Sequence, residues 1–248
     1  MRAYKLSQHF TELKSRIAQT LCFFLLCFFV AYYASEEIYV FLAKPLAHDG
    51  HKVIYTGLAE VFFTYIKIAA FVGFVATMPV IAFQIYKFIS PGLYHDEKRA
   101  ARVILAASPL LFWIGGLFVF YFVIPKAWQF FLSFEMRDAP VPLLLEARIS
   151  EYLSLVMQLV IAFGLAFQLP VIFAMLTLTG VVSSTFLQRK RRISIVVNFI
   201  IAGIVTPPDV LSQIALALPM VLLYEISIIA CKFLENMEQN VRHKVDHR

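Results

Sequence analysis

The chain has 248 residues, of which 60% are apolar and only 15% charged, and its mean hydropathy is +0.77. A soluble domain carries about 25% charged residues and cannot hide so much apolar surface, so a water-soluble fold is excluded. The net charge of +6 would suit nucleic acid, yet the basic residues lie in short segments between apolar runs, which points to membrane topology and to no nucleic-acid partner.

Residues 1–16 are polar and basic, and the first apolar run covers 17–35. Glu12 flanks that run and no small-residue cleavage site follows it, so a cleavable signal peptide is not expected. A mixed stretch with Glu36, Glu37, Lys44, Pro45 and Glu60 leads to the second run, 61–86, which Lys67 and Pro79 interrupt. Lys67 lies near the start of that run and is expected to snorkel to the outer interface. A basic loop ending at Arg102 contains the turn signal Pro91-Gly92. The third run is 103–125. A polar segment with Pro140 and Pro142 precedes the fourth, 152–178, and the cluster Arg189-Lys190-Arg191-Arg192 precedes the fifth, 193–205. At 1.5 Å per residue the fifth run reaches roughly 20 Å, against a hydrocarbon core of about 30 Å. Thr206-Pro207-Pro208-Asp209 then turns the chain into the sixth run, 210–231, with Asp209 at an N-cap position and a charged tail beyond.

These runs predict one all-α domain over 1–248, polytopic, with six transmembrane helices. The fifth and sixth form a short hairpin with local bilayer thinning beside it. An inside N-terminus gives each inside segment four basic residues: Arg2, Lys5, Lys14 and Arg16; Lys87, Lys98, Arg99 and Arg102; Arg189 to Arg192; Lys232, Arg242, Lys244 and Arg248. The outside loops carry Lys44, Lys52, Lys126, Arg137 and Arg148. The positive-inside rule therefore places both termini in the cytoplasm.

Polar groups inside the runs are expensive and invite a functional reading. They are Glu225, Gln168, Gln84, Asn198 and Gln213. The plain structural reading of Glu225 is a partner such as Ser, Tyr or a backbone group, or a place near the cytoplasmic interface. That of Gln168 is a helix–helix hydrogen bond. Pro79, Pro109, Pro170 and Pro219 fall in four different runs, and bends there would make a curved scaffold. Two acids stand in basic segments. Glu12 has Arg16 four residues on, an ordinary helix-surface pair, and Glu97 suits a solvated loop or a first helical turn. Each is also a carboxylate at the membrane edge, able to accept a guanidinium in a bidentate pair. Cys22, Cys27 and Cys231 lie in or beside apolar segments without metal-ligand spacing. No nucleotide loop, dinucleotide fingerprint or metalloprotease motif occurs, so neither an enzyme nor a bound cofactor or metal is expected.

The segments resemble the TatC family, the multispanning core of the twin-arginine protein translocase, from about His9 to Phe233. His9-Phe10-Thr11-Glu12-Leu13-Lys14-Ser15-Arg16 is similar to the family's H-x-x-E-L-R-x-R segment, and Pro45 sits in a family-like P-L step. Phe88-Ile89-Ser90-Pro91-Gly92-Leu93-Tyr94 followed by Glu97-Lys98-Arg99 is similar to the first cytoplasmic loop signature. Phe163 to Pro170, the basic cluster from Arg189, and Thr206 to Gln213 resemble the later motifs. The resemblance implies a curved TatC-like bundle in a bacterial inner membrane that binds twin-arginine signal peptides of folded precursors. Export would draw on the proton-motive force. It implies Glu12 and Glu97 as anionic contacts for the paired arginines, with Phe88, Leu93, Arg16 and Lys14 shaping that site. Gln168, Asp209, Glu225 and Pro45 would serve the cavity or partner contacts. The implied partners are TatA- and TatB-like single-span subunits, further TatC copies and membrane lipids. Two positions depart from the pattern. Lys14 replaces a common Arg and lacks its planar fork, and Gln168 replaces a common Glu and is not titratable.

Two other readings compete. A small secondary transporter would explain Glu225, Lys67 and proline-interrupted helices, although the two halves share no repeated motif. A purely structural membrane subunit is the third.

Overall fold

The computed structural model describes residues 2–47, 54–92, 95–135, 145–205 and 210–246. Among them the elements are helical, apart from an isolated parallel bridge between Ile54 and Arg148.

Helix α1 runs Arg2–Tyr33. It starts in the polar segment that precedes the apolar run, because nothing there breaks it. The stretch has no Gly or Pro and holds two each of Leu, Lys and Arg, all good helix formers. One residue later α2 covers Ser35–Ala47, in a stretch the sequence left mixed, with Pro45 in its last turn. Helix α3, Glu60–Ile89, continues through Pro79 into a 3₁₀ turn at Ser90–Gly92. Helix α4, His95–Phe118, passes through a π turn at Val119–Val123 into α5, Ile124–Leu132. The third run therefore does not stop near 125. Pro125 lies in the first turn of α5, where a missing N–H costs least.

The fourth run is two helices, α6 (Ile149–Ala166) and α7 (Leu169–Leu178). Pro170 sits in the first turn of α7, which accounts for the interruption at Phe167 and Gln168. Helix α7 ends at Gly180, whose φ of +69° is the left-handed value that favours glycine. Ser183 caps the short α8 (Ser184–Arg189), its hydroxyl accepting from Phe186 N at 3.2 Å. Helix α9 is Arg191–Val205 and α10 is Val210–Asp246.

Among the described residues, five stretches are long and apolar enough to cross a membrane: Thr11–Tyr33, Glu60–Ile89, Lys98–Leu132, Ile149–Leu178 and Leu216–Met237. At 15 residues, α9 is not among them, so the short fifth run is the one on which a count of six depends.

The chain forms two compact units. The first comprises Met1–Phe88 and Phe120–Gln158. In it α2 meets the π turn that leads into α5 through the stacked rings of Phe41 and Phe120, whose centroids lie 5.0 Å apart. Trp128 meets Tyr152 edge-on, and Tyr152 donates its hydroxyl proton to Leu42 O at 3.3 Å. In the same unit Ile54 N donates to Ala147 O at 3.2 Å and Ile149 N to Ile54 O at 3.0 Å, tying the segment before α3 to the start of α6.

The second unit comprises Ile89–Val119 and Leu159–Arg248. Helix α10 is its centre, packing on α7, α8 and α9, while α4 packs on α7. Leu187, Tyr224, Ile228 and Cys231 form a buried cluster there. Two glycines set the spacing of α4 from α6. A Cβ on Gly164 would lie 2.5 Å from the Phe112 ring, and one on Gly115 would lie 2.9 Å from Phe163 O.

Candidate functional site

Helices α1 and α3 are joined by a polar cluster at one end of an apolar groove. Glu12 and Arg16 stand one turn apart on α1, and Arg16 Nη2 donates to Glu12 Oε1. The same guanidinium crosses to α3. Its Nη1 donates to Gln84 Oε1 at 3.1 Å, and Nη2 lies 3.4 Å from Lys87 O. Gln84 Nε2 donates back to Gln19 Oε1 on α1 at 2.9 Å. Arg16 is thereby largely sheltered, with 17% of its side chain exposed, while Glu12 keeps 37%.

The groove beside this cluster has a volume of about 410 Å³. Leu13, Ile17, Leu21 and Phe24 line it from α1, and Phe74 and Phe88 from α3. The α1 positions recur every three or four residues, which places them on one helix face. Phe88, which is exposed, belongs to the same lining as Arg16. Lys87 lies over the Phe83 ring, 4.5 Å from its centroid. The arrangement offers a carboxylate with a fixed guanidinium beside it, followed directly by an apolar channel.

The structure thus brings together Glu12, Arg16 and Phe88, and adds Gln84. In the sequence Gln84 stands out only as a polar interruption of an apolar run. Its partner Arg16 lies 68 residues away, and no local pattern announces such a contact. Lys14 is exposed and stands about 200° around the helix from both Glu12 and Arg16, so it does not join them. Glu97 falls in the first turn of α4, as one reading expected, with its side chain outside the described residues. Leu93 and Asp209 also lie outside the described residues. Pro45 is half-buried near the end of α2.

Gln168 is buried and fully engaged rather than lining open space. Ser108 Oγ donates to Gln168 Oε1 at 2.5 Å, and Gln168 Nε2 donates to Ser108 O at 3.0 Å. Ser108 precedes Pro109, and Gln168 precedes the Pro170 turn, so the pair joins two proline-marked positions. The helix–helix hydrogen bond read from the sequence is this one, and Ser108 is the partner the sequence did not name.

Among the described residues, Glu225 is paired with a cation rather than with Ser, Tyr or backbone. Arg191 Nη2 donates to Glu225 Oε2 at 2.6 Å, and both side chains are close to half-exposed. Two neighbours on α10 act on the same segment. Tyr224 donates to Leu187 O at 2.8 Å, and Glu235 accepts from Ser184 N at 2.7 Å and from Ser184 Oγ. Arg191 at the start of α9 and Ser184 and Leu187 of α8 are bonded to α10 in this way. Lys67 is exposed, with Nζ 3.4 Å from Ser154 Oγ. Among the described residues, no group of three His, Cys, Asp or Glu side chains is placed to hold a metal ion.

Comparison with known proteins bears on the whole chain. The family pattern of the Sec-independent protein translocase protein (TatC) matches residues 8–219. The TatC protein of Rickettsia prowazekii (strain Madrid E) is 53% identical over 251 aligned positions, covering 99% of this chain and all of that one. The Escherichia coli (strain K12) TatC protein is 36% identical over 228 positions, covering 91% of this chain and 87% of its own. A crystal structure of the twin-arginine translocase receptor TatC superposes with a TM-score of 0.79 at 35% identity, covering 92% of this chain and 99% of that one. Identity, coverage and the all-α multispanning fold agree, and the chain belongs to the TatC family.

Proposed function

We propose that this multi-pass protein of the bacterial inner membrane is the signal-peptide receptor and core subunit of a twin-arginine translocase, exporting folded proteins. The observation that carries the reading is the membrane-edge carboxylate Glu12, set beside an apolar groove that ends at Phe88. A basic segment followed by an apolar one is what an export signal offers. Glu12 accepts a guanidinium of the arginine pair, and Glu97 supplies a second carboxylate. Arg is favoured over Lys because a carboxylate accepts two parallel N–H bonds from its planar fork. The chain is a receptor and frame, not an enzyme. Proton-motive force drives export, and single-span TatA- and TatB-like subunits, with further TatC copies, complete the assembly.

The topology belongs to the same proposal: six spans with α9 as the short fifth, and both termini inside. The test is photocrosslinking. A photoreactive group placed next to Glu97 is offered a twin-arginine signal peptide and a twin-lysine control. An adduct that depends on arginine supports the receptor reading, and equal labelling of both peptides refutes it. Glu97→Gln is expected to weaken signal binding while membrane insertion continues.

A further inference from the structure

The ligand assigned to Glu12 is a guanidinium, and Glu12 already holds one from its own helix. We propose that Arg16 is a specificity-determining residue that occupies Glu12 until a signal arginine takes its place. The inference rests on the receptor reading above. An ordinary i,i+4 surface pair would leave the Arg16 guanidinium in water. Here it is mostly sheltered and bonded to a second helix.

Three features suit an exchange. Arg16 has neutral acceptors besides Glu12, namely Gln84 Oε1 at 3.1 Å and Lys87 O at 3.4 Å. It is therefore not left without partners when Glu12 turns to an incoming group. Gln84 is itself held by Gln19, so these acceptors belong to the joined α1–α3 frame and remain in place. Glu12 is the more exposed member of the pair, so the carboxylate is accessible to a ligand while Arg16 stays sheltered.

The consequence is selectivity. A carboxylate already neutralised by Arg16 gives little to a lysine ammonium, which brings charge without a planar fork. An arginine competes like for like and forms the bidentate pair. After exchange two cations stand close together, and their repulsion limits how long the signal is held. Arg16 thus raises discrimination at the expense of affinity.

The test uses the full-length protein in phospholipid nanodiscs, with fluorescent peptides carrying Arg-Arg or Lys-Lys ahead of one apolar segment. In Arg16→Gln the twin-arginine peptide is expected to bind several-fold tighter, and the twin-lysine peptide to gain more, so that their ratio falls. Arg16→Lys, which keeps the charge without the fork, is expected to fall between. Gln84→Leu removes a fallback acceptor and holds Arg16 on Glu12, so twin-arginine binding is expected to weaken. Opposite signs at two touching residues separate exchange from general damage. Weaker or unchanged twin-arginine binding in Arg16→Gln, with wild-type thermal unfolding, overturns the inference while leaving the receptor reading intact. A wild-type protein that treats both peptides alike, and loses nothing in Glu12→Gln, overturns the receptor reading and this inference with it.

Discussion

The carboxylate of Glu60, first residue of α3, accepts a hydrogen bond from Ser150 Oγ at the start of α6, 2.6 Å away. It also accepts from Thr56 N at 2.8 Å and Gly57 N at 3.0 Å. A helix N-terminus presents unpaired N–H groups and the positive end of the helix dipole. Here one carboxylate ties the turn before α3, through Thr56 N and Gly57 N, to Ser150 in the first turn of α6, beside the bridge of Ile54 and Arg148. Glu60→Ala is expected to lower the thermal unfolding temperature in detergent more than Glu60→Gln or Ser150→Ala. The double variant is expected to lose less than the sum of its parts, because both substitutions remove the same contact. Strict additivity would show that Glu60 and Ser150 do not act through their mutual contact.

Close helix approach supplies a second expectation. Gly164→Ala drives a methyl into the Phe112 ring, itself 1% exposed, and Gly115→Ala drives one into a backbone carbonyl. Overpacking of this kind costs about 1–3 kcal/mol. Phe112→Leu is expected to restore part of the loss in Gly164→Ala and none in Gly115→Ala, where backbone is the obstacle. Denaturation in mild detergent reads both. Gly57→Ala is the control, since its nearest neighbour would sit at an ordinary 3.6 Å.

Ser108 and Gln168 are both buried and bonded to each other. Ser108→Ala leaves a buried amide short of one partner, at a cost of about 1 kcal/mol. Gln168→Leu removes the amide itself, so Ser108→Ala is expected to add little on that background. A full additional loss there would mean that Ser108 acts through some other contact.

The segment pinned to α10 is open to a kinetic test. Glu225→Gln removes a half-exposed ion pair, worth less than about 1 kcal/mol. Glu235→Ala removes the acceptor of Ser184 N and Oγ at the start of α8. Trypsin cleavage after Arg189 or Lys190 in nanodiscs is expected to accelerate clearly in Glu235→Ala and little in Glu225→Gln. The reverse order would shift the anchoring role to the Arg191 pair.

Much of the fold was legible because a bilayer imposes strong local rules. Run length, apolar content and the placing of Arg and Lys identified the helical spans, and even the short α9 was visible as a run too brief for the hydrocarbon core. Elements in polar or mixed stretches were less legible. The start of α1 and all of α2 form helix where hydropathy is silent, since helix propensity there is not tied to membrane burial. The interruption at Gln168 was signalled by Pro170, whereas the π turn at Val119–Val123 had no comparable mark.

Residues of the candidate site divide the same way. Glu12 and Arg16 are visible as an i,i+4 pair because one helix sets their spacing. The engagement of Arg16 by Gln84, like Ser108 with Gln168 and Glu60 with Ser150, joins residues 60 to 90 positions apart. An all-helical membrane chain, its apolar runs and the types of polar group within them follow from residue order alone. Which polar groups meet follows from the packing, because it depends on the rotation and depth of each helix against its neighbours, and no local propensity encodes either.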